Sequence, residues 1–127
     1  MAVTVSTIAD PLGTKLIIDI DADESVEANV TGASTTIYAV EADNTQNNVP
    51  VYLKLKNTTG TPTVGTDSPD LMFRVAAQTK ETYMIGSGCV FAGLAFWAVL
   101  SPYSATGDSA DAANGPNSAV PVKILCT

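Results

Sequence analysis

The sequence predicts an all-β protein, a single antiparallel β-sandwich of about eight strands in a jelly-roll-like arrangement. Short β-branched and apolar stretches recur along the chain, turn chemistry separates them, and no stretch carries apolar residues at helical spacing over helical length. Without a helix to cross over between parallel neighbours, such strands pair antiparallel and bury one face of each sheet against the other. The jelly roll is a common eight-strand solution.

The expected strands are Lys15–Ile20, Val26–Val30, Thr35–Glu41, Val49–Lys56, Asp70–Ala76, Glu81–Ile85, Gly93–Leu100 and Val120–Leu125. Between them lie Asp21-Ala-Asp-Glu, Thr31-Gly-Ala-Ser, Asn44-Thr-Gln-Asn-Asn, Thr58-Thr-Gly-Thr-Pro and Gly86-Ser-Gly, all rich in residues that cap a turn or tolerate positive φ. Alternation is cleanest from Val51 to Lys56. There Val51, Leu53 and Leu55 are expected to face the core, and Tyr52, Lys54 and Lys56 the solvent. Cys89 to Leu100 is apolar enough for a buried helix, but Gly93, the Phe96-Trp97 pair and the stop at Pro102 favour strand, with Trp97 in the core. One domain is expected over 1–127, with 1–14 as an N-terminal arm and 101–127 as a long loop plus C-terminal strand.

Composition narrows the function. Charged residues are only 15% of the chain, against roughly 25% in an ordinary soluble domain. Thr, Ser, Asn and Ala take their place, a surface suited to packing between subunits, because charge is depleted from interface cores. The net charge of −7, with six scattered basic residues, opposes binding to nucleic acid. The start of the chain lacks the basic and apolar regions of an export leader, and no apolar run reaches bilayer length, so no membrane partner is expected. Without export, Cys89 and Cys126 are expected as buried, reduced thiols, although the sequence leaves pairing open.

No reaction is expected. The chain has no histidine, which removes every Ser-His and Cys-His arrangement and the commonest metal ligand. Gly60-Thr-Pro-Thr-Val-Gly-Thr66 has glycines at phosphate-loop spacing but lacks the lysine, carries Pro62 and leads into no helix; it reads as a turn. Asp19, Asp21 and Asp23 open like a calcium loop, but Glu24 stands where the glycine belongs and Val30 where the bidentate glutamate belongs. Alternating aspartates are then expected to line the solvent side of a strand and blunt an edge. No cofactor or metal is expected. Tyr38, Tyr52, Tyr83, Tyr103 and Trp97 are the aromatics that could serve a sugar site, with Tyr103 the most exposed by its place in the long loop.

One long stretch resembles a known group. It comprises Tyr38-Ala-Val-Glu-Ala-Asp-Asn, Val51-Tyr-Leu-Lys-Leu, Thr61-Pro-Thr-Val-Gly-Thr-Asp-Ser-Pro-Asp-Leu, Gly88 to Phe91 and Gly93-Leu-Ala-Phe-Trp-Ala-Val. In that order it resembles the small β-sandwich virion proteins of tailed bacteriophages, capsid cement or decoration proteins among them. The resemblance covers about half the chain and leaves out the first 34 residues and the tail after Ser101. It implies a non-enzymatic homotrimer, made in the host cytoplasm, that sits on the outer capsid surface and clamps the major capsid protein. The alternatives are a tail or neck component and a carbohydrate-binding module of a fibre. The expected interface residues are Val3, Val5 and Ile8 in the arm, Tyr103 in the loop, and Val122 and Ile124 in the last strand.

Overall fold

The computed structural model describes residues 13–102 and 113–127. Seven strands are formed among them: β1 (Lys15–Ala22), β2 (Thr35–Asp43), β3 (Val51–Asn57), β4 (Leu71–Val75), β5 (Lys80–Phe91), β6 (Leu94–Val99) and β7 (Val120–Cys126). They make a four-stranded sheet in the order β1-β7-β2-β5 and a three-stranded sheet in the order β4-β3-β6. All pairs are antiparallel, and the sheets pack face to face.

The core lies between them. Ile37, Val40, Val122 and Ile124 from one sheet meet Leu53, Leu55, Val75, Leu94 and Phe96 from the other. Register explains the selection: Ile17, Ile124, Val40 and Tyr83 form one inward row across the larger sheet. Val122 and Ile124 are thus core residues, and their expected place on an interface is corrected. The inward face of β7 is the centre of the sheet, where their burial stabilises the fold by about 2 kcal/mol each.

The expected strand at Val26–Val30 is not a full strand. It makes one bridge, Glu27 to Phe96, with backbone bonds from Glu27 N to Phe96 O and back, and from Val30 N to Leu94 O. Ala98 N donates to Asp23 O further along. The segment 23–30 therefore follows β6 antiparallel but irregularly. Asn29 at φ 47° and Gly32 at φ 63° then turn it toward β2.

Three irregularities position surface groups. Gly86-Ser-Gly is not a turn: β5 runs through it, and a wide bulge there places Ile37 opposite Cys89 but Ala39 opposite Met84. Gly88 enables this with φ 86°, and a Cβ on it would lie 2.4 Å from Thr36 Cγ2. A second bulge at Ile20 and Asp21 faces Pro121, which has no N–H to give a central strand. Asp19 Oδ1 accepts the Asp21 N–H freed there, at 3.0 Å. The third lies at Tyr38, between β2 and β7.

Side-chain amides tie the turns down. Buried Asn44 donates from Nδ2 to the carbonyls of Val49, Val75 and Ala76, and its Oδ1 accepts from Asn47 Nδ2. Asn47 in turn donates to Ser118 O and accepts from Ser118 N. The turn after β2 is thereby locked to the approach to β7.

Candidate interaction surface

The two outer faces of the sandwich differ. On the smaller sheet, every residue of β6 is buried, including Trp97, which faces away from the inter-sheet core beside Lys54 of β3. Lys54 is only 1% exposed, which corrects its expected place in solvent. On this face Trp97 and Lys54 are enclosed by the chain itself, whereas Met72 and Arg74 of β4 are exposed. The Thr63 to Asp67 turn packs so that a Cβ on Gly65 would lie 3.0 Å from the Ala113 Cβ, and Leu100 N bonds Asn114 O at 2.8 Å. Within that turn the Thr63 N–H donates to Asp67 Oδ2, and the Thr66 and Asp67 N–H groups donate to the Thr63 carbonyl.

The larger sheet is bare by comparison. Its outward rows follow from register. Leu16, Leu125, Ala39 and Met84 form an apolar row across all four strands, and Ile18, Lys123, Glu41 and Thr82 form the next. Ile18, Ile20, Met84 and Val90 are 58, 76, 63 and 66% exposed. A shallow depression of about 160 Å³ lies among Leu16, Ala39, Glu41, Thr82, Lys123 and Leu125. The charges on this face balance, with Glu41 and Asp43 opposed by Lys123 and Lys80. The reading of β1 is accordingly revised. Its outward side carries Leu16, Ile18 and Ile20, and Asp19 turns inward, half-buried.

The two sides where the sheets meet also differ. At one, Phe73 of β4 and Tyr83 of β5 stack with centroids 4.9 Å apart, and the Tyr83 hydroxyl donates to the Arg74 carbonyl and the Glu81 carboxylate. Burial and Glu81 push the Tyr83 phenol up to about 12. At the other, between β1 and 23–30, a groove of about 270 Å³ is lined by Ile17, Ile18, Asp19, Ile20, Asp21, Glu27, Val30 and Phe96. Burial above all, then a side-chain hydrogen bond with Asp21 and the charges of Glu27 and Asp21, raise the Asp19 carboxyl above its ordinary value, against the lowering effect of the Asp21 N–H.

The chain matches no protein-family model, no curated protein and no solved structure.

Among the described residues no three acidic or cysteine side chains are grouped to hold a metal ion. Both cysteines are free, Cys126 buried and Cys89 half-buried. Each sits opposite Ile37, on β7 and β5 respectively, so they are two strand spacings apart, about 9–10 Å. That exceeds disulfide reach. None of the described tyrosines is fully exposed, and Trp97 is enclosed, so no described aromatic stands out as a platform for a sugar ring.

Of the sequence-derived interface residues, Val3, Val5, Ile8 and Tyr103 lie outside the described residues, as does all of the 1–14 arm but Gly13 and Thr14. Val122 and Ile124 are in the core. Sequence reasoning missed the outward Leu16, Ile18, Ile20 and Met84. The signal was in Leu16-Ile-Ile-Asp-Ile, where apolar residues occupy both parities of one strand. A strand apolar on both sides needs a covering for each.

Proposed function

We propose that this chain is a structural protein of a bacteriophage particle, a non-enzymatic capsid cement protein whose copies associate as a trimer and seat on the outside of the shell. The observation that carries the reading is the apolar row across the outer face of the four-stranded sheet, continued by Ile18 and Ile20 along β1. A soluble monomer seldom presents so continuous an apolar surface, and such patches mark protein contacts. Charge supports the choice of face. The molecule carries −7 overall, which repels a second copy, yet this face is balanced and lets copies approach. Repeated on a symmetric shell, modest contacts add up through avidity.

The fold fits the same reading. Counting 23–30 beside β6 as a reduced fourth member of the three-stranded sheet, the strand order matches the one made by rolling up a long hairpin. We read it as a jelly roll with its second strand reduced to a few bonds. The resemblance to phage virion proteins supplies the particle.

The test has two parts. Sedimentation equilibrium of the purified chain is expected to give three times the chain mass. Incubation with phage heads lacking decoration is expected to leave the protein in the pelleted fraction. A strict monomer that stays in the supernatant would overturn the cement reading, and binding to isolated tails but not heads would replace it with a tail component.

A further inference from the structure

We propose that the groove between β1 and segment 23–30 receives an extended basic segment of a partner protein, which adds as a strand to the free edge of β1. The groove shares Ile18 and Ile20 with the margin of that sheet face, and peptide binding is measured separately from trimer formation.

The first support is the backbone. β1 ends the order β1-β7-β2-β5, and among the described residues no strand pairs with its other edge. An unpaired edge offers a row of N–H and C=O groups to an incoming strand. The edges of β4 and β5 are brought together by the Phe73–Tyr83 stack, whereas the β1 side opens into the groove. The opening exists because 23–30 bonds β6 irregularly and leaves Ile17 and Phe96 lining the space between.

The second support is complementarity. Apolar Ile17, Val30 and Phe96 lie alongside the carboxylates of Asp19, Asp21 and Glu27, and no lysine or arginine lines the groove. Ile17 and Asp19 share one face of β1, so the lysines on one face of an alternating segment lie along both, their stems against Ile17, Val30 and Phe96 and their charges at the carboxylates. Asp19, Asp21 and Glu27 give the groove an uncompensated negative charge. A lysine or arginine from the incoming strand offsets it. An acidic or purely apolar segment does not.

Fluorescence anisotropy with a labelled synthetic peptide alternating valine and lysine tests this on the full chain at low salt. Saturable binding is expected, weakened about tenfold by the double substitution Asp21→Asn and Glu27→Gln, both at exposed positions. The same peptide with glutamate for lysine is expected not to bind, and one methylated on alternate backbone nitrogens is expected to lose binding, since it cannot complete the ladder. Absence of binding by the lysine peptide would overturn the proposal. So would equal binding by the glutamate peptide, by the methylated peptide or by the doubly substituted protein.

Discussion

Asn44 shows how much one polar residue contributes to a sandwich of this size. Its amide answers carbonyls from the turn after β2 and from the end of β4, and its oxygen holds Asn47. Asn44→Ala leaves these groups buried and unpaired, so a loss of about 2–3 kcal/mol is expected in urea unfolding. Asp19 has the opposite sign. Its folded pKa is raised, so the native state holds that proton more tightly than the unfolded chain. Its contribution to stability therefore falls as pH rises from the ordinary value of 3.8 through the higher folded value. Asp19→Asn keeps an acceptor for the Asp21 N–H and removes the charge. The difference in Tm between variant and parent is expected to be small at pH 3 and to favour the variant at pH 7. A constant difference across that range would contradict the account. The sequence revealed Asn44 only as turn chemistry, because its three acceptors are brought together by the fold, and it placed Asp19 on the wrong side of β1.

At the scale of elements, the period-two pattern located most strands to within a residue or two. The strands expected at Val49–Lys56 and Val120–Leu125 form as Val51–Asn57 and Val120–Cys126, although Lys54 is buried and Val122 and Ile124 face the core. Where reading failed, long-range geometry decided. Gly86-Ser-Gly looks like a turn locally, but pairing with β2 carries the strand through it as a bulge. Gly88→Ala places a Cβ at φ 86° against Thr36 and Tyr38, and a loss of about 2 kcal/mol or more is expected in thermal unfolding. Lys54 looked solvent-facing because nothing local announces that the fold encloses its side chain beside Trp97. Register also settles the cysteines. With Ile37 between Cys89 and Cys126, two thiols are expected to titrate with Ellman's reagent after unfolding without reductant, and none would indicate a disulfide that this pairing forbids.

For the whole molecule, the sandwich buries Trp97 and Lys54 on the outer side of its smaller sheet and presents on its larger sheet an apolar row beside balanced charges. The low charge content led to the expectation of a packing protein, but composition does not say which face would pack. The residues of the proposed face, Leu16, Ile18, Leu125 and Met84, become neighbours only through the pairing of β1, β7, β2 and β5. The most direct test of the central claim is the solution mass of the parent and of the double variant Ile18→Lys, Met84→Lys, by sedimentation equilibrium across a range of concentrations. The account predicts a trimer for the parent and a folded monomer for the variant. A variant that retains the mass of the parent, or a parent that is monomeric throughout, would contradict it.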